Sequence, residues 1–220
     1  KDLLGRVLVA CECSGRVREA FRALGWDAWS CDIKPSEDKS PYHIEGDVLP
    51  VLEQGWDMMI AHPPCTYFAV AGLQYLKTKP GRIEQQKEAA KFALALWSCS
   101  IPKICIENPI GQLPKYIGRY TQIVRMWQFG HADAHKPTCL WLKGLPDLKP
   151  SKIVKPLPSR KYPNGKVLSQ WRTKNASATE RSRTFSGLAN AMANQWTLAT
   201  RPNAALCDPA HGDAGKPETL

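Results

Sequence analysis

The beginning of the chain alternates between apolar runs and a helical pattern in an order that strongly limits the fold. Residues 6–11 form a short apolar run that breaks at a turn around Gly15. Apolar residues then recur at helical spacing as far as Gly25, and a second apolar run, residues 26–31, ends at Asp32. Strand, turn, helix, strand and acid in this order predict a doubly wound α/β domain, in which such an acid commonly binds ribose hydroxyls. The alternative for Asp32 is a plain surface turn, where aspartate is common.

The turn after the first run contains only one glycine, which limits the nucleotide that it can bind. A dinucleotide fingerprint needs several glycines, because the backbone must approach a pyrophosphate closely. A cofactor without phosphates has no such requirement. The turn therefore fits a cofactor that lacks phosphates better than it fits a dinucleotide.

A second constraint comes from the stretch between Trp56 and Tyr67. Its apolar run, Met58–Ala61, has the length of a strand buried on both faces, and it stops at two prolines that cannot continue a sheet. Cys65 follows this stiff corner, and ligands of open α/β sheets bind at the carboxyl ends of the strands. Cys65 is therefore a candidate nucleophile. The alternative is one more buried thiol among eight cysteines.

The short apolar run over residues 103–106 leads directly into Glu107-Asn108-Pro109. If this run is another strand of the sheet, Glu107 lies at the same edge as Cys65. A carboxyl that is buried there can serve as a proton donor. The alternative is an acid in a helix or turn at the surface.

Weaker patterns cover the remainder of the chain. Gly46-Asp47 places a further acid at a strand end, and residues 138–142 form another strand. The spacing predicts helices over residues 83–98, 120–127 and 188–198, and it predicts loops over residues 72–82 and 144–174.

The net charge of +10 is concentrated in one part of the chain. Residues 1–114 contain 13 basic and 14 acidic residues, residues 115–183 contain 15 and 3, and residues 184–220 contain 2 and 3. A segment with such an excess of positive charge indicates a polyanion as partner, and nucleic acid fits better than a membrane because no basic amphipathic helix is evident. A solubilising face is the alternative, although such faces usually mix both signs.

The cysteine pattern and the hydropathy of the chain indicate the cellular compartment in which the protein resides. The eight cysteines include no C-x-x-C pair, which is typical of reduced thiols and favours neither a disulfide framework nor a metal site. No apolar run approaches the length of a membrane span, and no signal peptide is recognisable. We therefore expect a cytoplasmic monomer with no bound metal and no membrane association.

Taken together, the motifs resemble those of the DNA cytosine-5 methyltransferase family. The matching pieces follow the order of the family along most of residues 6–196. They are the turn at Ser14-Gly15, Asp32, Gly46-Asp47, Pro63-Pro64-Cys65, Glu107-Asn108-Pro109 and Gly187-Leu188-Ala189-Asn190-Ala191. The Pro-Pro-Cys and Glu-Asn pieces are the specific part of the resemblance.

The resemblance implies a Rossmann-like S-adenosylmethionine-dependent methyltransferase fold, with a mostly parallel sheet and helices on both faces. It implies S-adenosylmethionine as methyl donor and a cytosine flipped out of DNA as substrate. Cys65 would attack C6 of the ring, while Glu107 contacts N3 and supplies its proton, so that C5 becomes nucleophilic toward the methyl group. Asn108 belongs to the same implied catalytic set, and Lys136 is the best stand-in for an arginine of the family.

The resemblance and the charge pattern also assign binding residues and segments. The cofactor-binding residues would be Cys11, Glu12, Ser14, Gly15, Asp32, Ile33, Asp47, Val48, His62, Pro63 and Asn190. The residues expected to contact DNA are Lys152, Lys155, Arg160, Lys161 and Arg172. We divide the chain into a catalytic domain (residues 1–143), a basic irregular insertion (residues 144–183), a helix that returns to the catalytic domain (residues 184–200) and a tail (residues 201–220).

Several positions depart from the pattern of the family. Glu12 and Cys13 stand where small residues and glycine are usual, His62 replaces a small or aromatic residue, Thr66 replaces glutamine, and Pro109 replaces valine. The Gln-x-Arg-x-Arg motif is not obvious, and the target-recognition region is very short. Two alternatives therefore stay open: a catalytically silent relative that binds DNA or inhibits another enzyme, and an enzyme that modifies free cytosine nucleotides. His62 and Cys65 argue against an amino-group methyltransferase.

Overall fold

A seven-stranded sheet forms the centre of the protein. The computed structural model describes residues 3–132, 137–156, 160–165, 167–168 and 182–200. The strands of the sheet are β1 (Arg6–Ala10), β2 (Asp27–Asp32), β3 (His43–Glu45), β4 (Met58–Ala61), β5 (Lys103–Pro109), β6 (Gln122–Arg125) and β7 (Pro137–Lys143). They are arranged in the order β3-β2-β1-β4-β5-β7-β6.

Strand direction identifies the fold class. Strands β1 to β5 are parallel to one another, whereas β7 runs antiparallel to both of its neighbours, β5 and β6. A mostly parallel sheet whose second strand from one edge is reversed in this way is typical of the Rossmann-like methyltransferase fold. The fold class predicted from the sequence is therefore confirmed.

Five helices accompany the sheet within the described residues: α1 (Arg16–Arg22), α2 (Tyr75–Thr78), α3 (Arg82–Ser98), α4 (Pro114–Ile117) and α5 (Ser186–Thr200). Helices α1 and α5 contribute to the core on one face of the sheet, and α3 contributes to the core on the other. Successive residues of β1 explain why its apolar run is continuous. Val7 and Val9 belong to the first core, and Leu8 and Ala10 belong to the second, so every position is buried.

The structure corrects three of the predicted elements; one is a small hairpin within residues 144–174, which were predicted as loops. Residues 120–127, predicted as a helix, instead contain β6 and the start of a 3₁₀ turn at Met126–Gln128. Pairing of β6 with β7 decides this outcome, because it buries Val124 in the core. Residues 72–82, predicted as a loop, contain the short helix α2 and the first residue of α3. Helices α3 and α5 were predicted almost to their ends.

The beginning of the basic insertion, residues 144–183, is attached to α5. The Lys149 N–H donates to Gln195 Oε1 at 2.8 Å, and Gln195 Nε2 donates back to the Lys149 carbonyl at 2.8 Å. Farther along, β8 (Arg160–Lys161) pairs with β9 (Val167–Leu168) in a small hairpin. Residues 157–159, 166, 169–181 and the predicted tail, 201–220, lie outside the described residues. No helix in the described part of the chain is both long and apolar enough to cross a membrane.

Candidate active site

One cavity lies at the carboxyl ends of the parallel strands. Its volume is about 440 Å³. Most residues that line it come from the ends of β1, β2, β4 and β5 and from the segments that follow these strands and β3, and the others come from α3 and from the segment before α5. They are Cys11, Glu12, Cys13, Ser14, Cys31, Asp32, Ile33, Lys34, Glu37, Gly46, Asp47, Val48, His62, Pro63, Pro64, Cys65, Thr66, Phe92, Glu107, Asn108, Pro109, Ser182, Arg183 and Thr184.

Most of the residues that the sequence singled out meet in this cavity. It contains nine of the predicted cofactor-binding residues together with Cys65, Glu107 and Asn108. Gly15 and Asn190 are not among the lining residues: Gly15 precedes α1, and Asn190 is exposed on α5. Lys136 lies outside the described residues.

Glu12 serves as the cap of α1, although it stands where the family has a small residue. Its carboxylate is buried and accepts hydrogen bonds from the backbone N–H groups of Val17 at 2.9 Å and Arg18 at 3.3 Å. The Ser14 hydroxyl donates to the same carboxylate at 3.0 Å. A carboxylate therefore occupies the helix N-terminus at which a dinucleotide would place its pyrophosphate.

Gly15 supports this turn and does not line the cavity. Its φ of 71° lies in the left-handed region that favours glycine. A Cβ atom at this position would collide with the Arg18 guanidinium and would lie 2.6 Å from Asp38 Oδ2. The glycine that the sequence assigned to cofactor binding is thus required by the turn itself.

The segment after β2 is held in place by a buried arginine. Arg18 is fully buried; its guanidinium donates to Ser30 Oγ at 2.7 Å and forms an ion pair with Asp38. Burial by itself would raise the pKa of Asp38, but the Ser36 hydroxyl and then the Arg18 charge lower it on balance. This attachment fixes the loop from which Lys34 and Glu37 reach the cavity.

Asp32 and Asp47 form the acidic end of the cavity. Asp32 Oδ1 accepts a hydrogen bond from the Lys34 N–H at 2.9 Å, and Asp47 Oδ1 accepts one from the Leu49 N–H at 3.0 Å. Each bond fixes a carboxylate at the end of a strand through a local turn. Carboxylates placed in this way can accept hydrogen bonds from the hydroxyls of a sugar.

Cys65 lies at the opposite end, directly after the two prolines. It begins a 3₁₀ turn, Cys65–Tyr67, and its carbonyl accepts hydrogen bonds from the N–H groups of Phe68 at 3.0 Å and Ala69 at 2.9 Å. Of the seven cysteines in the described part of the chain, Cys65 alone is exposed. Exposure on a fixed turn is what a nucleophilic thiol requires.

The buried cysteines have the opposite character. Burial, followed by the charges of Asp32 and Asp47, raises the pKa of Cys31 to about 11. Burial and the charge of Glu107 raise the pKa of Cys139 to about 11, and they also raise that of Cys105. Burial likewise raises the pKa of Cys11. These four thiols therefore stay protonated near neutral pH.

Asn108 connects the two strands that carry the catalytic candidates. Its Nδ2 donates to the Pro63 carbonyl at 2.8 Å, and the side chain is buried. Its Oδ1 has no hydrogen-bond partner among the described residues. Asn108 therefore fixes the Pro-Pro-Cys turn to β5, and it leaves one buried acceptor at the cavity wall.

Glu107 contacts His62 across the cavity floor. The two side chains are 17% and 11% exposed, and His62 Nδ1 lies 2.9 Å from Glu107 Oε2. The sequence predicted that Glu107 would be buried at the same sheet edge as Cys65. The structure places it there, in β5, with a histidine against its carboxyl group.

Sequence reasoning missed the wall that comes from distant segments. Arg183 Nε donates to Glu37 Oε2 at 2.8 Å, and Arg16 Nη1 donates to the Thr184 carbonyl at 3.0 Å. These contacts bring the segment before α5 to the cavity. Phe92 of α3 reaches the cavity as well. No local pattern could have identified a pair that is 146 residues apart in the chain.

The residues predicted to contact DNA are only partly described. Lys152, Lys155 and Lys161 are exposed, as this role requires. Arg160 is described through its backbone in β8 alone, and Arg172 lies outside the described residues. The DNA contacts therefore stay a prediction.

Comparison with known proteins gave no family model and no curated protein that matches this chain. Three solved structures are similar. A protein of an E. coli prophage, described as a DNA modification methyltransferase, has 14% identity and a TM-score of 0.46 over 70% of this chain and 52% of its own. The Entamoeba histolytica methyltransferase EhMeth has 15% identity and a TM-score of 0.47 over 70% and 58%. The S. pombe Dnmt2 methyltransferase has 13% identity and a TM-score of 0.42 over 65% and 51%.

This chain thus spans only about half the length of these proteins. Identity this low concerns the fold alone. The strand order and the reversed β7 by themselves give the chain a methyltransferase-like α/β fold.

Proposed function

We propose that the protein transfers a methyl group from S-adenosylmethionine to C5 of cytosine in DNA. One observation carries the proposal. An exposed cysteine that follows two prolines at the end of β4 shares a single cavity with Glu107 of β5 and with the carboxylates of Asp32 and Asp47. A nucleophile and an acid at one end suit a pyrimidine ring, and the acidic end suits a nucleoside cofactor.

The residues at the acidic end fit S-adenosylmethionine better than a dinucleotide. Glu12 already occupies the N–H groups that a pyrophosphate would need. Asp32 and Asp47 would hold the ribose and adenosine portion, and Asn108 Oδ1 offers a buried acceptor to a donor group in the cavity. When it is bound, the cofactor supplies an electrophilic methyl group.

At the other end, the residues of this chain would activate the base. The Cys65 thiolate would form a bond from Sγ to C6, and Glu107 would give a proton to N3 as this bond forms. The electron pair of the C5–C6 double bond then lies between C4 and C5, so C5 becomes the nucleophile. Asn108 would keep the Pro63-Pro64-Cys65 turn in register with Glu107.

The proposal of DNA as the partner rests on charge. Residues 115–183 contain 15 basic and 3 acidic residues, and Lys152, Lys155 and Lys161 are exposed. A free nucleotide would not require an extended basic surface, whereas a polymer of phosphates would.

The test is incubation of the protein with labelled S-adenosylmethionine and with duplex DNA, single-stranded DNA or free cytidine nucleotides, followed by nucleoside analysis. We expect label in 5-methylcytosine from DNA. Cys65→Ser should lower the rate by at least about 10³-fold, because a hydroxyl is a far weaker nucleophile than a thiolate. Cys99→Ser is the matched control, since Cys99 does not line the cavity. Absence of label from every substrate, or an active Cys65→Ser variant, would contradict the proposal.

A further inference from the structure

The contact between His62 and Glu107 is the feature of the cavity that the resemblance does not explain. His62 Nδ1 lies 2.9 Å from Glu107 Oε2, and neither side chain is more than 17% exposed. Both side chains line the cavity that contains Cys65. A histidine at this position is a departure from the pattern of the family, which has a small or aromatic residue before the two prolines.

Both partners are anchored through the sheet. The His62 N–H donates to the Ala10 carbonyl at 2.9 Å, which fixes the residue to the end of β1. Glu107 lies within β5 and is paired with Leu140 of β7. The following residue, Asn108, holds Pro63. The imidazole, the carboxyl group and the turn that carries Cys65 are therefore held in one rigid arrangement.

The direction of the hydrogen bond decides what the imidazole can do. An ionised carboxylate only accepts hydrogen bonds, so Nδ1 must carry the hydrogen when Glu107 is ionised. When Glu107 is protonated, the same Nδ1–H occupies Oε2, so the acidic proton resides on Oε1. Loss of that proton strengthens the bond from Nδ1–H, because the acceptor becomes charged.

We propose that His62 is a positioning residue that prepares Glu107 to protonate N3 of cytosine and stabilises the carboxylate that results. This inference rests on the proposed function. As Sγ of Cys65 bonds to C6, the C5–C6 π pair moves to C4–C5, and the C4–N3 π pair takes the proton from Glu107 Oε1. Glu107 is left as a carboxylate that accepts from Nδ1–H of His62. Once C5 has accepted the methyl group, its hydrogen leaves to water and that C–H pair re-forms the C5–C6 double bond. The Sγ–C6 bond then breaks with its electrons returning to sulfur, and N3 returns its proton to Glu107.

Three described cysteines near the pair cannot take over this role. Cys105 of β5 and Cys139 of β7 feel the charge of Glu107, and Cys11 lies beyond the end of β1; the pKa of each of these thiols is raised. They are therefore neutral near pH 7. Cys65, the exposed cysteine among the described residues, is assigned to the attack on C6. The arginine motif of the family is not evident in the sequence, and Lys136 lies outside the described residues.

The first test reads the tautomer of His62 by ¹⁵N NMR of the whole protein, without substrate, at a pH where the imidazole is neutral. A histidine in water prefers hydrogen on Nε2, whereas the contact with Glu107 requires it on Nδ1. We expect the Nδ1–H form in the wild type and a return toward the Nε2–H form in Glu107→Ala. An Nε2–H tautomer in the wild type overturns the inference, and this reading does not depend on whether Glu107→Ala folds.

The second test compares His62→Asn with His62→Leu in single-turnover methyl transfer to DNA across pH 5.5–9. Asparagine keeps an N–H donor near the place of Nδ1, and leucine keeps bulk without a donor. We expect the rate to fall about 100-fold in His62→Leu and at most about tenfold in His62→Asn, and the dependence of the rate on pH to change in both, because each variant lacks the titratable imidazole. Rates are compared at saturating S-adenosylmethionine, because the resemblance also assigned His62 to the cofactor, and a role in cofactor binding alone would not make the saturated rate depend on an N–H donor. His43→Asn, outside the cavity, controls for loss of a histidine.

The outcomes separate this inference from the proposed function. An active wild type whose rate and pH profile survive His62→Leu overturns the inference alone. A wild type that methylates no substrate while showing the Nδ1–H tautomer overturns the proposed function, and the role of His62 with it, although the contact itself remains. Equal losses in His62→Asn and His62→Leu also contradict the inference, since the N–H donor would then not matter.

Discussion

The two ends of the cavity use the same residue types for different purposes. At the acidic end, Glu12 is buried and its carboxylate caps α1, and Cys31 is a buried thiol whose pKa is raised to about 11. At the other end, Cys65 is exposed on a fixed turn, and Glu107 faces the cavity against His62. One glutamate and one cysteine thus belong to the fold, and the other pair is available for chemistry.

The physical reason for the difference is the set of neighbours around each side chain. Cys31 lies within a parallel strand whose residues are covered on both faces. Cys65 lies beyond the last residue of β4, Ala61, after prolines that end the strand and keep the thiol away from the core. Burial disfavours a thiolate, and so do the charges of Asp32 and Asp47 beside Cys31, so the surroundings of each thiol separate the two cysteines.

The largest expected effect concerns thiol reactivity. At pH 8, only about one Cys31 side chain in 1,000 is a thiolate if its pKa is about 11. Iodoacetamide should therefore modify Cys65 at least about 100-fold faster than Cys31, as measured by peptide mass spectrometry over time. Modification of Cys31 should increase as the pH rises toward 11. Equal rates in the folded protein at pH 8 would break the comparison.

The next effect concerns the basic segment, residues 115–183, which we expect to contact DNA and not the cofactor. Neutralising Lys152, Lys155, Arg160 and Lys161 together should weaken DNA binding by about 30- to 100-fold at low salt and reduce the salt slope by roughly one unit per lost phosphate contact. Affinity should fall equally for different DNA sequences, because phosphate contacts carry no sequence information. Fluorescence anisotropy measures both quantities.

Cofactor affinity should not change in this quadruple variant. Neutralising Lys87 and Lys91 of α3, which are exposed and lie outside residues 115–183, is the control. A salt-independent affinity, or a long and strict target sequence among methylated products, would show that this segment reads bases.

Asp32→Ala should sharpen the comparison at the acidic end. Loss of hydrogen bonds from ribose hydroxyls to the carboxylate should weaken S-adenosylmethionine binding by about 1–2 kcal/mol, which is roughly 5- to 30-fold. Calorimetry gives this value directly. Glu45→Ala is the matched control, because Glu45 is exposed on β3 and does not line the cavity. An unchanged affinity in Asp32→Ala would move the ribose contact elsewhere, with Asp47 as the next candidate.

The smallest expected effect distinguishes the two glutamates. Glu12→Ala should lower the free energy of unfolding by about 1 kcal/mol, because the cap of α1 is lost. Glu107→Gln should remove activity and leave the free energy of unfolding nearly unchanged, because glutamine keeps an acceptor for Nδ1–H of His62. Chemical denaturation of both variants measures the difference. If the effects on stability were reversed, the separation into a structural and a chemical glutamate would be wrong.

Local patterns were sufficient for most of the sheet and for the ends of the cavity. Continuous apolar runs predicted β1, β2, β4 and β5, because strands buried on both faces need apolar residues at every position. They were not sufficient at residues 120–127, where pairing with β7 imposes a strand on a stretch with a helical pattern. Local patterns assigned Glu12 to the cofactor but did not show that it caps α1, since a carboxylate next to a helix start can bind a ligand or cap the helix.

The sequence by itself determined a doubly wound sheet and the residues at its carboxyl edge, because apolar runs predict buried strands and turn-forming residues predict where the strands end. It also located Cys65 and Glu107 as candidates. Only the tertiary structure decided that His62 contacts Glu107, that Asn108 fixes Pro63 and that Arg183 meets Glu37. These contacts join residues that are 45, 45 and 146 positions apart. The order of the strands in the sheet brings such distant residues together, and no local sequence pattern shows that order.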